Sequence, residues 1–195
     1  DHYRQAVELN SLVSFGLSGM MLLLAPTLSL VLVDHQSVEL VSSLMLAATV
    51  YGLYSLGAVP WYTLIARGRT MIVFQANLIA SILALSLITI GAIQFGLLGA
   101  IAGNIGYLLI LLLYIFAARN LNIEPGSIGF WKGNYVLWYI GVITLSIILP
   151  ESFITRVSVA IIASIVLAWS SPLAKDILTS LYQIGSKIHK KLATR

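Results

Sequence analysis

The feature that most constrains this chain is a series of uncharged apolar runs, each about as long as a lipid bilayer is thick. A membrane-crossing helix needs about 20 consecutive, mostly apolar residues. Six segments meet that requirement, at about 11–33, 38–65, 70–93, 96–117, 133–149 and 153–171. The runs are continuous and lack the alternation of a membrane barrel strand, so the expectation is an all-α membrane protein with six transmembrane helices. Only 9% of residues are charged and 59% are hydrophobic, where soluble domains carry roughly 25% charge.

The bases fall between the runs in a pattern that sets orientation. Arg4 precedes the first run, Arg67 and Arg69 follow the second, and Arg119 and Lys132 follow the fourth. Lys175, Lys187, Lys190, Lys191 and Arg195 follow the sixth. The turns after the first and third runs carry none. Both termini are therefore expected on the cytoplasmic side. Arg156 alone sits on the other side, where it is expected to snorkel outward from a helix start. The six-helix unit is expected over 1–172. The tail 173–195 spaces Ile177, Leu181, Ile184, Ile188 and Leu192 three or four apart, the pattern of a basic amphipathic helix on the cytoplasmic face. The chain begins with Asp1, which reads as a piece of something longer or a processed product.

The stretch "AIQFGLLGAIAGNIGY", residues 92–107, carries four glycines in an apolar setting. Helices in lipid associate through close packing, and small residues collect where they touch. Gly99, Gly103 and Gly106 form one smooth stripe, and Gly91 and Gly96 bracket an uncharged turn. The stretch predicts a tight hairpin between the third and fourth runs, either for packing alone or as a seam along which helices slide. Pro26 and Pro60 each remove a helical hydrogen bond, giving either ordinary kinks or hinges.

Chemistry-bearing motifs are sparse. The chain has no cysteine, no HExxH, no GxxxxGK[ST] and no paired intramembrane carboxylates, and its three histidines are far apart. No enzyme activity, cofactor, metal site or nucleic-acid partner is expected. The lipid bilayer is the first partner.

The order of features resembles a known family. "GLYSLGAVPWYTLIARGRTM" holds Pro60 and then Gly68-Arg69; Phe95-Gly96-Leu97-Leu98-Gly99-Ala100 follows, and Ala25-Pro26 lies in the first run. This is similar to the second half of polysaccharide (O-antigen) flippases of the multidrug/oligosaccharidyl-lipid/polysaccharide exporter superfamily. The likeness covers most of the chain and is strongest over about 50–117. It implies one six-helix lobe of a two-lobed transporter, the N-terminal lobe lying outside this chain. It further implies alternating access, a polyprenyl-linked glycan substrate and a plasma-membrane location. A drug or cell-wall-precursor exporter of the same superfamily is the near alternative. A non-transporting six-helix subunit is the alternative from another class.

A flippase needs a hydrated, polar or cationic cleft, because an unpartnered charge in a low-dielectric medium costs many kcal/mol. Candidates for the cavity wall are Arg4, Glu8, Ser11, Ser14, Ser18, Tyr51, Tyr54, Gln75, Asn77 and Asn104. The amides and hydroxyls serve equally well as interhelical glue. Arg67 and Arg69 are either orientation signals or contacts for a lipid-linked phosphate. Trp61 and Tyr62 fit an interfacial aromatic belt or a sugar-stacking surface.

Overall fold

The computed structural model describes residues 2–122, 134–149, 152–171 and 179. Among these the chain is all-helical, with no strand. The helices are α1 (His2–Val33), α2 (Val38–Ser55), α3 (Ala58–Ala66), α4 (Thr70–Gly103), α5 (Leu113–Asn120), α6 (Asn134–Ile148) and α7 (Phe153–Ser170). A 3-10 helix, Asn104–Leu112, joins α4 to α5. The stretches His2–Val33, Val38–Ala66, Thr70–Asn120 and Phe153–Ser170 are long and apolar enough to cross a membrane, and Tyr135–Ile148 is a shorter apolar helix. The predicted tail helix over 173–195 lies outside the described residues, Thr179 excepted, as does Lys132.

α1 is the axle of the bundle and packs against α2, α3, α6 and α7. Its inward face is built from Phe15, Leu22, Leu23 and Ala25, interleaved with Ser11, Ser14, Ser18 and Gly19. Small residues let neighbours approach: the Trp138 ring lies over Gly19, and its indole N–H donates to the Ala163 carbonyl at 3.0 Å. The outside is the reverse. Val31, Leu85, Ile93, Ile147 and Ile154 are all more than two-thirds exposed. So extensive an apolar exterior is unlike that of a water-soluble fold, whose surface tolerates apolar patches of only a few hundred Å². It suits helices that meet hydrocarbon.

Local sequence explains three of the reversals. After α1, Asp34 takes a left-handed φ of 56° and Ser37 caps α2, accepting from the Leu40 N–H at 3.3 Å. α3 ends in a Schellman turn. Gly68, at φ 72°, donates to Ile65, and Arg69 N–H donates to the Leu64 carbonyl at 2.8 Å. Within Thr70–Gly103, Gly96 alone leaves helical geometry, at φ 63° and ψ −142°. There the chain folds back. Gly99 meets the backbone at Gly91, Gly103 meets Ile88, and Gly106 meets Ala84. The partners descend as the glycines ascend, which is antiparallel register. The 51-residue stretch is thus a hairpin, as the glycine stripe predicts.

The second run, Val38–Ala66, is one apolar stretch that is interrupted at Leu56–Gly57, where the dihedrals stay helical and both N–H groups donate three residues back, to Leu53 and Tyr54. A proline disturbs the turn before it, and Pro60 sits in the first turn of α3. One expectation is corrected: Arg156 does not snorkel outward but is 3% exposed, with its guanidinium turned into the bundle.

The ends of the helices sort. His2 and Tyr3 of α1, Ala66 and Arg67 after α3, and Leu121 after α5 surround one hollow. Glu8, Tyr135 and Ser171 also meet. Arg4, Arg67, Arg69 and Arg119 therefore gather at one end of the bundle, and Arg156 lies toward the other.

Candidate functional site

The break between α2 and α3 gathers several polar groups within the apolar body. Pro60 has no N–H, so the Leu56 carbonyl four residues earlier lacks its helical donor. Two side chains supply donors. Tyr114 O–H, from α5, donates at 2.6 Å, and Asn10 Nδ2, from α1, at 3.3 Å. Asn10 also donates to the Ser55 carbonyl at 3.0 Å. Buried carbonyls left bare cost about 1–3 kcal/mol each, which is why an amide and a phenol are kept here.

Beside this break a groove of about 450 Å³ runs between α1 and α2. Asn10, Ser14, Ser18, Tyr51 and Ser55 give it a polar wall, and Val13, Leu17, Met21 and Leu44 an apolar one. Ser14 and Ser55 hydroxyls are hydrogen-bonded at 2.7 Å, and Ser18 Oγ donates to the Ser14 carbonyl at 2.7 Å. Close helix approach depends on Gly52, where a methyl group would strike Ser18. Ser55 also lines a second hollow, of about 250 Å³, with Tyr54, Ala58, Trp61 and Tyr62. The two hollows flank the break and form one amphipathic face.

The predicted site residues divide. Ser14, Ser18 and Tyr51 come together in the groove, and Tyr54 lies in the adjoining hollow. Asn104 touches this face through Tyr51, whose hydroxyl donates to Asn104 Oδ1 at 3.3 Å. Ser11 is fully buried and donates to the Val7 carbonyl at 2.7 Å. Gln75 is exposed on α4, and Asn77 donates to its own helix at Val73, 3.0 Å away. Arg4 is exposed on the first turn of α1. Glu8 turns to the far side of α1, where Oε1 accepts from Tyr135 O–H at 3.3 Å and Ser171 Oγ–H at 3.1 Å. Arg67 and Arg69 are exposed, and Arg67 with His2 and Thr63 borders the hollow of about 580 Å³ at the basic end. Pro26 and Pro60 are both buried.

Sequence reasoning passes over Asn10, Ser55 and Tyr114. One signal could have found the first and last: Pro60 names Leu56 as the carbonyl needing outside donors, and a lone Asn or Tyr on a neighbouring run is the candidate.

The groove's lining is neutral and mostly apolar; its amide, hydroxyls and phenol are engaged in hydrogen bonds within the protein, with the half-exposed Tyr51 hydroxyl the most accessible of them, and it contains no activated nucleophile. Among the described residues, no three His, Cys, Asp or Glu side chains lie close enough together to hold a metal ion. Compared with models of protein families, with curated proteins and with solved structures, the chain matches none.

Proposed function

We propose that this chain is one lobe of a membrane transporter that flips a polyprenyl-linked oligosaccharide across the plasma membrane by alternating access. In this reading the chain crosses the bilayer six times, with the arginine-rich end cytoplasmic. A second six-helix lobe faces it. The glycan slides along the amphipathic face beside the α2–α3 break while the polyprenyl tail stays in lipid. One observation supports the reading: a mostly apolar groove that carries a few amide, hydroxyl and phenol groups, set in a bundle whose exterior is large apolar side chains. Polar groups at that depth are costly and mark substrate paths. The resemblance of the Pro60, Gly68-Arg69 and Phe95–Ala100 motifs supplies the substrate class.

The test uses the full-length protein in proteoliposomes loaded with a fluorescent polyprenyl-pyrophosphate oligosaccharide. The readout is the fraction of headgroups that become accessible to an external glycosidase. Native protein should speed this at least tenfold over empty vesicles. Ala47→Trp, which fills the groove, should return it to background at unchanged helix content. Native protein no faster than empty vesicles removes the transport reading.

Orientation has its own check, made simple by the absence of cysteine. A single Phe95→Cys variant should react with an impermeant maleimide added outside cells. Arg69→Cys should react only after permeabilisation, and the opposite pattern reverses the topology.

A further inference from the structure

The 3-10 run Asn104–Leu112 is nine residues long, whereas runs beyond 3–4 residues are uncommon because side chains eclipse and hydrogen bonds are poor. Its flanking dihedrals are of the same type, φ −58° and ψ −24° at Gly103 and φ −58° and ψ −23° at Leu113. Leu and Ile dominate the run and do not by themselves demand this geometry. Something outside it must hold it.

A 3-10 helix has three residues per turn, so Asn104, Tyr107 and Ile110 stand in one straight column. Each meets a residue on α2 or the α2–α3 break. Tyr51 O–H donates to Asn104 Oδ1 at 3.3 Å. Tyr54 and Tyr107 meet edge to face, with centroids 5.8 Å apart. Ile110 lies over Gly57, where a methyl group would come within 2.9 Å of its Cγ2. The partners at 51, 54 and 57 are themselves spaced by three. In an α-helix the same three residues would fan over about 120°, so the straight column fits the contacts more closely than an α-helical run would.

We infer that Asn104–Leu112 is a length-and-twist switch, held in its long 3-10 form by the column of contacts to Tyr51, Tyr54 and Gly57. Relaxing nine residues from a rise of about 2.0 Å to about 1.5 Å shortens the segment by about 4.5 Å and turns one end by about 180° against the other. The top contact of the column is also part of the groove, because Tyr51 lines it and is half-exposed. A ligand that takes the Tyr51 hydroxyl removes the first clasp and weakens the hold on the run, whose middle stays packed through Gly106 on the Ala84 backbone. The inference concerns this segment's geometry and stands whether or not the ligand is a glycan.

The absence of native cysteine lets a Leu97→Cys and Phe116→Cys pair carry spin labels on the exposed surface either side of the run. Pulsed dipolar distances are then measured in phospholipid nanodiscs. The parent protein should give a single long distance. Asn104→Leu should shift the distribution shorter by about 4 Å. Tyr51→Phe, which removes one exposed hydroxyl and leaves packing intact, should populate both distances. A parent already at the shorter distance, or variants that both match an unshortened parent, overturn the switch. Should Asn104→Leu fail to fold, Tyr51→Phe decides alone.

Discussion

Replacing Gly103 by leucine is expected to abolish the α4 hairpin, and even alanine there should cost about 3 kcal/mol, the upper end of the usual overpacking range. The reason is what the added carbon meets. A Cβ on Gly103 runs into the Ile88 backbone and lies 2.6 Å from the Leu87 carbonyl carbon. A flexible side chain could swing aside, but a helical backbone cannot without moving the whole limb. The two limbs touch at Gly91–Gly99, Gly103–Ile88 and Gly106–Ala84 in one register, so separating them at one point loosens all three contacts. In a chain of 195 residues, about 3 kcal/mol corresponds to a fall in midpoint of roughly 6–12 °C. Thermal unfolding in detergent is the measurement, with Gly141→Ala as control. Gly141 lies in α6 with nothing within 4 Å of a would-be Cβ, so alanine there should be neutral or slightly stabilising. If Gly103→Ala melts with Gly141→Ala, the close seam does not exist.

That hairpin was legible because its cause is steric and local. The stripe at 99, 103 and 106 says that something comes close, and the uncharged turn at Gly96 says what. The apolar runs were legible for the same kind of reason: length and hydropathy are properties of one segment. What escaped depends on partners. Pro60 signals a disturbed turn, but the break at Leu56–Gly57 holds its shape through Asn10 and Tyr114, which lie 46 and 58 residues from the carbonyl they serve. The serine stripe of α1 looks like one polar face, yet Ser14 and Ser18 open on the groove while Ser11 is sealed in the core. Spacing of three and four residues fixes a face only to within a broad sector, and the neighbouring helix decides which edge is covered. The 3-10 run left no mark at all, since its cause is a column of contacts on α2 and α3.

Arg156 is the sharpest case of a residue whose position in sequence misleads. As the lone Lys or Arg on its side it invites the reading of a surface cation. Instead its guanidinium donates to three backbone carbonyls: Leu149 at 2.8 Å, Leu23 at 3.2 Å and Ser146 at 3.4 Å. Two of these lie at the end of α6, where the last carbonyls have no helical donor and the helix dipole is negative. The third is on α1, in the turn before Pro26. One planar fork therefore ties α7 to α6 and to the proline-bearing part of the axle. Arg156→Met should cost about 3 kcal/mol or more in thermal unfolding. Removing a buried charge relieves desolvation, and replacing both halves of such an interaction with apolar groups is often neutral. Here the other half is backbone and cannot be replaced, so the carbonyls stay behind without their donor and the balance is a loss. Arg156→Lys keeps the charge on a single ammonium and cannot reproduce the fork. It should fall between the two, and amide exchange at 145–149 should rise in the same order. A methionine variant as stable as the parent would mean that the fork contributes no net stability.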